Sequence, residues 1–338
     1  MITAIAHKYK DENQVEWQKS LFEAIRDPVT LLKLLDLDHS KYRKQLSFDD
    51  QFRLLVPLSY VKKMKKGDWH DPLLKQVLPI VSEQQAVAGF VADPVGDLEA
   101  EIASGVLHKY QGRVLLVTTG ACAVHCRYCF RQHFPYADSL ANSKHWQTTL
   151  AKIQADSEIH EVILSGGDPL MLSDTRLQTM CESLAQIPHI KTLRFHTRVP
   201  LFLPERITAE FLSWLSALAV QKVMVIHANH ANELDEVVGE RLLALRDANF
   251  TVLNQSVLLK GVNDSLGALS DLSFRLFDYQ VLPYYLHQLD RVQGAAHFEV
   301  ERNKAIGLLD ALKTVLPGYL VPKLVEEISG KRSKQAIV

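Results

Sequence analysis

From Arg113 to about residue 314 the sequence alternates six times between a short β-rich run and an amphipathic helical stretch. The runs are Val114–Thr119, Glu161–Ser165, Thr192–Thr197, Lys222–His227, Thr251–Leu259 and Gln280–Leu286. The helical patterns lie near 143–155, 173–187, 208–219, 235–248, 265–277 and 301–314. Strands separated by helices cannot close as hairpins, so each must return parallel to the last with its helix as the crossover. The expectation is an α/β fold of six βα units, either an open doubly wound sheet or a partial barrel, and periodicity alone does not choose. The chemically interesting residues favour the barrel. Cys122–Cys129 follows the first run, Gly166–Asp168 the second and Arg198 the third; His227–His230 closes the fourth, Gln255 lies within the fifth and Asp290 follows the sixth. Parallel strands present those ends on one rim, where such folds assemble their sites.

The first hundred residues read differently. Glu16–Ile25, Pro28–Leu37 and Phe48–Lys65 carry apolar residues at helical spacing, with Asp27 and Ser47 as caps, which predicts a mostly helical N-terminal region over 1–100. Gly67–Asp97 is richer in Pro, Gly and Asp and predicts an irregular connection, leaving 101–314 as the core and 315–338 as a C-terminal segment. A net charge of −1 shows no electrostatic footprint for nucleic acid. Met1–Glu12 is polar and lacks the apolar core of a signal peptide, and no apolar run approaches the ~18 residues needed to span a bilayer. These features predict a soluble, cytoplasmic protein without a membrane partner.

Four cysteines are too few for a disulfide scaffold at 338 residues, and three of them crowd into eight: Cys122, Cys126 and Cys129. Three thiolates at that spacing can wrap one corner of a small inorganic cluster from a single loop. A [4Fe–4S] cube takes four ligands, so one iron is left to bind a small molecule. A structural zinc ion using His125 or His133 as a further ligand is the alternative. A ferredoxin would want a fourth cysteine nearby. Cys181 lies in an amphipathic helical stretch and reads as a buried apolar residue. Ser165-Gly166-Gly167-Asp168-Pro169 follows the second run directly. Its glycines permit close approach of backbone to a ligand, and its acid can accept from an amine or a ribose hydroxyl; a plain turn reads equally well.

Several further motifs occur in order: His108-Lys109-Tyr110-Gln111-Gly112-Arg113, the Cys126-Arg127-Tyr128-Cys129-Phe130-Arg131 loop, His227-Ala228-Asn229-His230, Asn254-Gln255-Ser256, Pro283-Tyr284-Tyr285, Gly294-Ala295-Ala296-His297-Phe298 and Pro317-Gly318-Tyr319. Together with Ser165–Leu170 they resemble the lysine 2,3-aminomutase family of radical S-adenosylmethionine enzymes, from about His108 to Lys334. The resemblance implies a partial (βα)6 TIM-like barrel of the radical S-adenosylmethionine type, with the cluster on Cys122, Cys126 and Cys129. It implies S-adenosylmethionine beside Tyr128, Ser165, Gly166, Gly167, Asp168, Arg198, His227 and Asn229. A second cofactor, pyridoxal phosphate, is implied on Lys334, or on Lys331 if the Gly330 region is shifted, with Tyr110, Arg113 and Gln255 around it.

The implied reaction converts L-lysine to β-lysine, with Arg131 on the substrate carboxylate and Asp290 and Glu327 on its distal ammonium. Glu327 stands where other members commonly have aspartate. More narrowly, Leu286–Phe298 resembles the bacterial branch that makes β-lysine for elongation factor P, which implies the (R) product and a link to that factor and to the enzyme that attaches β-lysine. The zinc-binding C-terminal extension of clostridial members is absent, and Ser265 stands where they have another cysteine, so no structural zinc is expected. An aminomutase for another amino acid, such as glutamate, is the rival within the class, and like charge at Asp290 and Glu327 argues against it. A zinc-bearing module that binds elongation factor P or nucleic acid is the rival outside it.

Overall fold

A computed structural model describes residues 16–49, 52–141 and 145–338. Ten strands form one sheet in sequence order: β1 (Glu101–Ala103), β2 (Val106–Tyr110), β3 (Arg113–Thr119), β4 (Glu161–Gly166), β5 (Thr192–Thr197), β6 (Gln221–Ile226), β7 (Phe250–Val257), β8 (Leu282–His287), β9 (Lys323–Glu326) and β10 (Gln335–Ala336). β3 to β9 run parallel, while β1–β2–β3 and β9–β10 are antiparallel. The six expected runs are the strands β3 to β8. The expected helices are Trp146–Ala155, Asp174–Ala185, Ala209–Ser216, Glu236–Asp247, Leu266–Asp278 and Arg302–Val315; positions 143 and 144 of the first expected stretch lie outside the described residues. The sheet therefore has six βα units and a closing seventh parallel strand, β9. The sequence order runs unbroken from β1 to β10, as in a partial TIM-like barrel.

Local sequence explains the elements. Ser173, Thr208, Asp235 and Ser265 each stand before a crossover helix and accept a hydrogen bond from the backbone N–H three residues on. Each satisfies one of the orphan donors at the helix start. Ser265 is thus a helix cap. Strand β5 shows the two-residue period: Leu193 and Phe195 are fully buried in the core, while Arg194 and His196 face the interior cavity.

The N-terminal region departs from expectation. Its helices are short: Glu16–Phe22, Pro28–Leu34, His39–Tyr42, Leu58–Val61 and Pro72–Lys75. Asp27 does cap the second, accepting from the Thr30 N–H at 2.8 Å. The helix expected over Phe48–Lys65 is confined to Leu58–Val61, and residues 50 and 51 lie outside the described set. Pro57 takes ψ 148° and the chain before it is extended, with Val56 bridged to Ile25. A proline disfavours helix in the residue preceding it, which outweighs apolar spacing here. Ser47 caps no helix; it is buried, and its N–H donates to the Pro79 carbonyl.

These short elements are welded to the sheet. Leu31, Leu32, Tyr60, Leu73 and Leu74 belong to the same apolar core as Leu193, Phe195 and Phe202. The Tyr60 and Phe202 rings stack at 4.2 Å, and Lys63 Nζ donates to the Leu201 and Glu233 carbonyls at 3.1 and 2.9 Å. Among the described residues no helix is long and apolar enough to cross a membrane.

Candidate active site

The sheet encloses a cavity of about 660 Å³. The site residues singled out in the sequence line it, apart from Asn229, the alternative lysine Lys331 and the alternative zinc ligand His133. Strand ends far apart in the chain are brought together by the parallel order.

The cysteine loop after β3 is clamped from two sides. Gly167 N–H donates to the Thr119 carbonyl at 2.7 Å and Asp168 N–H to that of Ala121 at 2.9 Å. A Cβ on Gly166, whose φ is +118°, would meet the Thr119 carbonyl oxygen at 2.6 Å, and one on Gly167 would clash with that of Ala121. Both glycines are thus required by chain packing against the cysteine loop, before any ligand is considered. From the other side, the N-terminal region holds the loop through His125 N–H to Leu55 O at 3.1 Å and Arg127 N–H to Gln76 O at 2.9 Å. The Arg127 guanidinium is paired with Glu83.

The three cysteines line the cavity together. Burial and then the neighbouring cysteines push the Cys122 thiol well up and the Cys129 thiol to about 11. Three thiolates in such a place are stable only against strongly positive metal centres. Among the described residues no three His, Cys, Asp or Glu side chains converge closely enough for one metal ion. A cube differs in this respect, because each thiolate holds its own iron. His125 is also turned away: its Nδ1 meets the Arg53 carbonyl at 2.7 Å and its ring stacks on Phe52 at 4.8 Å. His133 Nε2 meets the Gln293 carbonyl at 3.3 Å. The donor set fits an iron–sulfur cluster better than a zinc ion. Cys181 is wholly buried in its helix, as expected.

Three residues expected beside a small molecule are bound into the protein. Asp168 accepts from Leu170 N–H at 3.0 Å, Thr197 Oγ1 at 2.7 Å, Arg198 N–H at 2.8 Å and Val199 N–H at 3.2 Å. Burial nonetheless pushes it to about 6 against those hydrogen bonds. Through them it ties the β4 turn to the end of β5. Asn229 is fully buried behind the cavity, donating to Gln76 Oε1 at 3.0 Å and Tyr128 Oη at 2.7 Å and accepting from Val257 N–H at 2.8 Å. Arg198 is engaged at every nitrogen: Nε to the His227 carbonyl at 2.7 Å, one terminal nitrogen to Cys126 Sγ at 2.8 Å, and the other to Gln76 and Glu233 at 3.1 and 2.6 Å.

A chain of alternating charge lines the same cavity. Arg131 Nε donates to Asp97 Oδ2 at 2.6 Å, Asp97 pairs with Lys109 at 2.5 Å, Lys109 with Glu327 at 2.9 Å, and Glu327 with Lys334. Burial works against the charge on Glu327, but Lys334 and Lys109 overcome it and hold the carboxyl down at about 2. Asp290 is the exception. Among the described residues no group donates to its carboxylate, and burial, then Glu327, push it up to about 7. Such a carboxylate is an incomplete ion pair awaiting a cation. Burial, then nearby cations, keeps His196 and His287 neutral, the latter at about 3. Arg113 pairs with no acid among the described residues and lies over the Tyr110 ring at 4.8 Å. That leaves a free guanidinium for an anion such as a phosphate monoester.

Asp97, Lys109, Gln76 and Glu233 were not anticipated as site residues. Lys109 belongs to the His108–Arg113 motif, and Glu233 stands three residues after His230, a spacing that reads as helix capping. Asp97 and Gln76 carry no local signal.

Residues 110–201 match the family model described as a 4Fe-4S single cluster domain, a span that contains the cysteine loop, β4 and β5. The L-lysine 2,3-aminomutase of Haemophilus influenzae is 46% identical over 318 residues, covering 94% of both chains. That of Escherichia coli is 46% identical over 320 residues, covering 94% of this chain and 93% of its own. That of Clostridium subterminale is 30% identical across the whole of this chain and 82% of its own. A radical SAM methyltransferase from Sphaerobacter thermophilus overlays on 65% of this chain and 68% of its own with a TM-score of 0.45 and 13% identity, too loosely to add to the sheet order described above.

Proposed function

The chain belongs to the L-lysine 2,3-aminomutase family of isomerases, and from that premise we propose that it converts L-lysine to (R)-β-lysine. The observation that carries the substrate is Asp290: a carboxylate without a donor among the described residues, lining the cavity that also holds the three cysteines and Lys334. The distal ammonium of lysine supplies the cation it lacks.

The residues fit the three cofactors of this reading. Cys122, Cys126 and Cys129 would hold the [4Fe–4S] cluster, with S-adenosylmethionine on its open iron beside Ser165, Gly166, Gly167 and His227. Lys334 would hold pyridoxal phosphate, with Arg113, Tyr110 and Gln255 at its phosphate and ring. When bound, the cluster with S-adenosylmethionine supplies hydrogen-atom abstraction, and pyridoxal phosphate supplies the electron-accepting carrier on which an amino group can move.

The chain's own part is placement and exclusion. Arg131, held through Nε by Asp97 and through Nη1 by Ser165 Oγ at 3.2 Å, has Nη2 left for the substrate carboxylate. Asp290 receives the distal ammonium, and Glu327 joins it once Lys334 is engaged elsewhere; Lys109 keeps Glu327 ionised meanwhile. Neutral His196 and His287 line the walls without adding charge. The N-terminal region braces the cysteine loop. We take 1–100, 101–314 and 315–338 as brace, catalytic core and the segment carrying the cofactor lysine.

The product's handedness and use rest on the likeness of Leu286–Phe298 to the bacterial branch that serves elongation factor P. On that basis we assign (R)-β-lysine, destined for the enzyme that attaches it to elongation factor P, and a reducing cytoplasm where three cysteines stay out of disulfides. The test is anaerobic turnover of protein reconstituted with iron, sulfide, pyridoxal phosphate, S-adenosylmethionine, a reductant and L-lysine, with products resolved on a chiral column. β-Lysine is expected. Its absence, with the cluster intact and S-adenosylmethionine still cleaved, would discard lysine as substrate.

A further inference from the structure

The network behind Cys126 has a directionality that packing alone does not require. Arg198 follows β5, and its guanidinium reaches Cys126 Sγ at 2.8 Å while lying over the Phe202 ring at 4.8 Å. Its counter-ion, Glu233, is wholly buried. One Glu233 oxygen accepts from the Asn229 and His230 N–H groups at 2.8 and 3.0 Å and from Gln76 Nε2 at 3.2 Å, and the other takes Arg198 at 2.6 Å. Glu233 is therefore fixed by the backbone, and Arg198 is fixed by Glu233. A buried arginine held this way cannot swing to a small molecule; it can only donate to the sulfur.

Resting on the cluster assignment above, we propose that Arg198, aimed by Glu233, is a positioning residue that hydrogen-bonds the Cys126 thiolate and raises the reduction potential of the cluster. Reduction adds one electron, taken from an external one-electron reductant, to a centre that already carries net negative charge with its thiolates. A donor and a positive charge at one sulfur stabilise the reduced form more than the oxidised one. Glu233 partly offsets that positive charge.

The signs give the test. The holoenzyme and the variants R198M, R198K and E233Q are titrated anaerobically with dithionite, and the reduced cluster is followed by electron paramagnetic resonance. Removing the cation in R198M lowers the midpoint potential, and R198K lowers it less, because lysine keeps the charge but not the fork. Removing the counter-charge in E233Q, whose one amide oxygen can still accept from Arg198 while its NH2 replaces the oxygen facing the backbone N–H groups, raises it. Shifts of the same sign in R198M and E233Q, no shift in either, or loss of iron from all three variants would make Arg198 a brace and overturn the proposal. Wild-type protein without a [4Fe–4S] signal would instead overturn the cluster reading itself.

Discussion

Replacing Asp290 by asparagine should make the protein more stable and less useful, and the gain should depend on pH in a defined way. An unfolded Asp290 titrates near 3.8, while burial and Glu327 push the folded one to about 7. Between those values the folded state holds a proton that the unfolded state has released, so stability falls as pH rises. The loss is about 1.4 kcal/mol per pH unit, up to about 4 kcal/mol in all, and is constant above pH 7. Because the carboxylate faces the water of the cavity, about 2–4 kcal/mol is the range to expect. Asparagine keeps the shape and removes the charge, so D290N should match wild type near pH 4 and pull ahead up to pH 7. A chain of this length melts with an entropy of roughly 0.7 kcal/mol/K, which turns the plateau into about 3–6 °C. Melting of the two cofactor-free proteins, side by side from pH 4.5 to 8.5, measures it; other titrating groups cancel in the difference. A gap that does not change with pH, or a wild type that melts higher at pH 8, would show that Asp290 already has a partner and would remove the reason for placing lysine's ammonium there.

Four further outcomes follow from the same geometry. In steady-state assays kcat/KM for lysine should rise about tenfold per unit up to about pH 7 and then level, as Asp290 ionises, and D290N should abolish that rise. Cys126→Ala should lose the cluster absorbance and all cleavage of S-adenosylmethionine; a variant that still cleaved it would refute the three-cysteine site. Lys334→Ala should lose the visible absorbance of covalently held pyridoxal phosphate while Lys331→Ala keeps it, since only Lys334 lines the cavity. Arg131→Lys, which keeps charge but loses the fork that serves Asp97 and a carboxylate together, should raise KM for lysine roughly 10- to 100-fold with the cluster signal unchanged.

The sheet was legible because parallel strands and crossover helices write distinct periods, and four of the six helices also carry a capping side chain, such as Ser173 and Asp235. That these residues share one cavity was legible for the same reason, since most stand at or just beyond a strand end, with Gln255 inside β7. The N-terminal region was overread as helix because apolar spacing around residues 48–65 resembles a helix face, while the decisive residue, Pro57, acts on the conformation of its predecessor. The charge chain was hidden for a different reason. Asp97 precedes the first strand, and Lys109 meets Glu327 across 218 residues, a pairing set by where the sheet ends close and not by any local pattern. Glu233 was masked by looking like an ordinary cap.

That charge chain also decides between amino acids. The charge chain brings three cations, Arg131, Lys109 and Lys334, and three anions, Asp97, Glu327 and Asp290, to one cavity. Each of these three cations already touches an anion, and the one of the six left over is negative; Arg113, the further cation without an acid partner among the described residues, is the one assigned to the phosphate. A substrate bringing a carboxylate to Arg131 and a second positive charge to Asp290 leaves this set balanced. A glutamate side chain would set a second carboxylate against Asp290 with Glu327 close behind, in a place where burial has already driven Asp290 to about 7. One of those acids would have to take up a proton or find a new cation, and among the described residues Lys109 is already shared between Asp97 and Glu327. If Asp290 takes the distal ammonium as proposed, specificity for a diamino acid would be a property of the whole chain of charges, with Lys109 as much a determinant as Asp290. Lys109→Met should loosen the preference for lysine by freeing Glu327 to titrate upward, an effect visible as a new pH dependence of KM above pH 5.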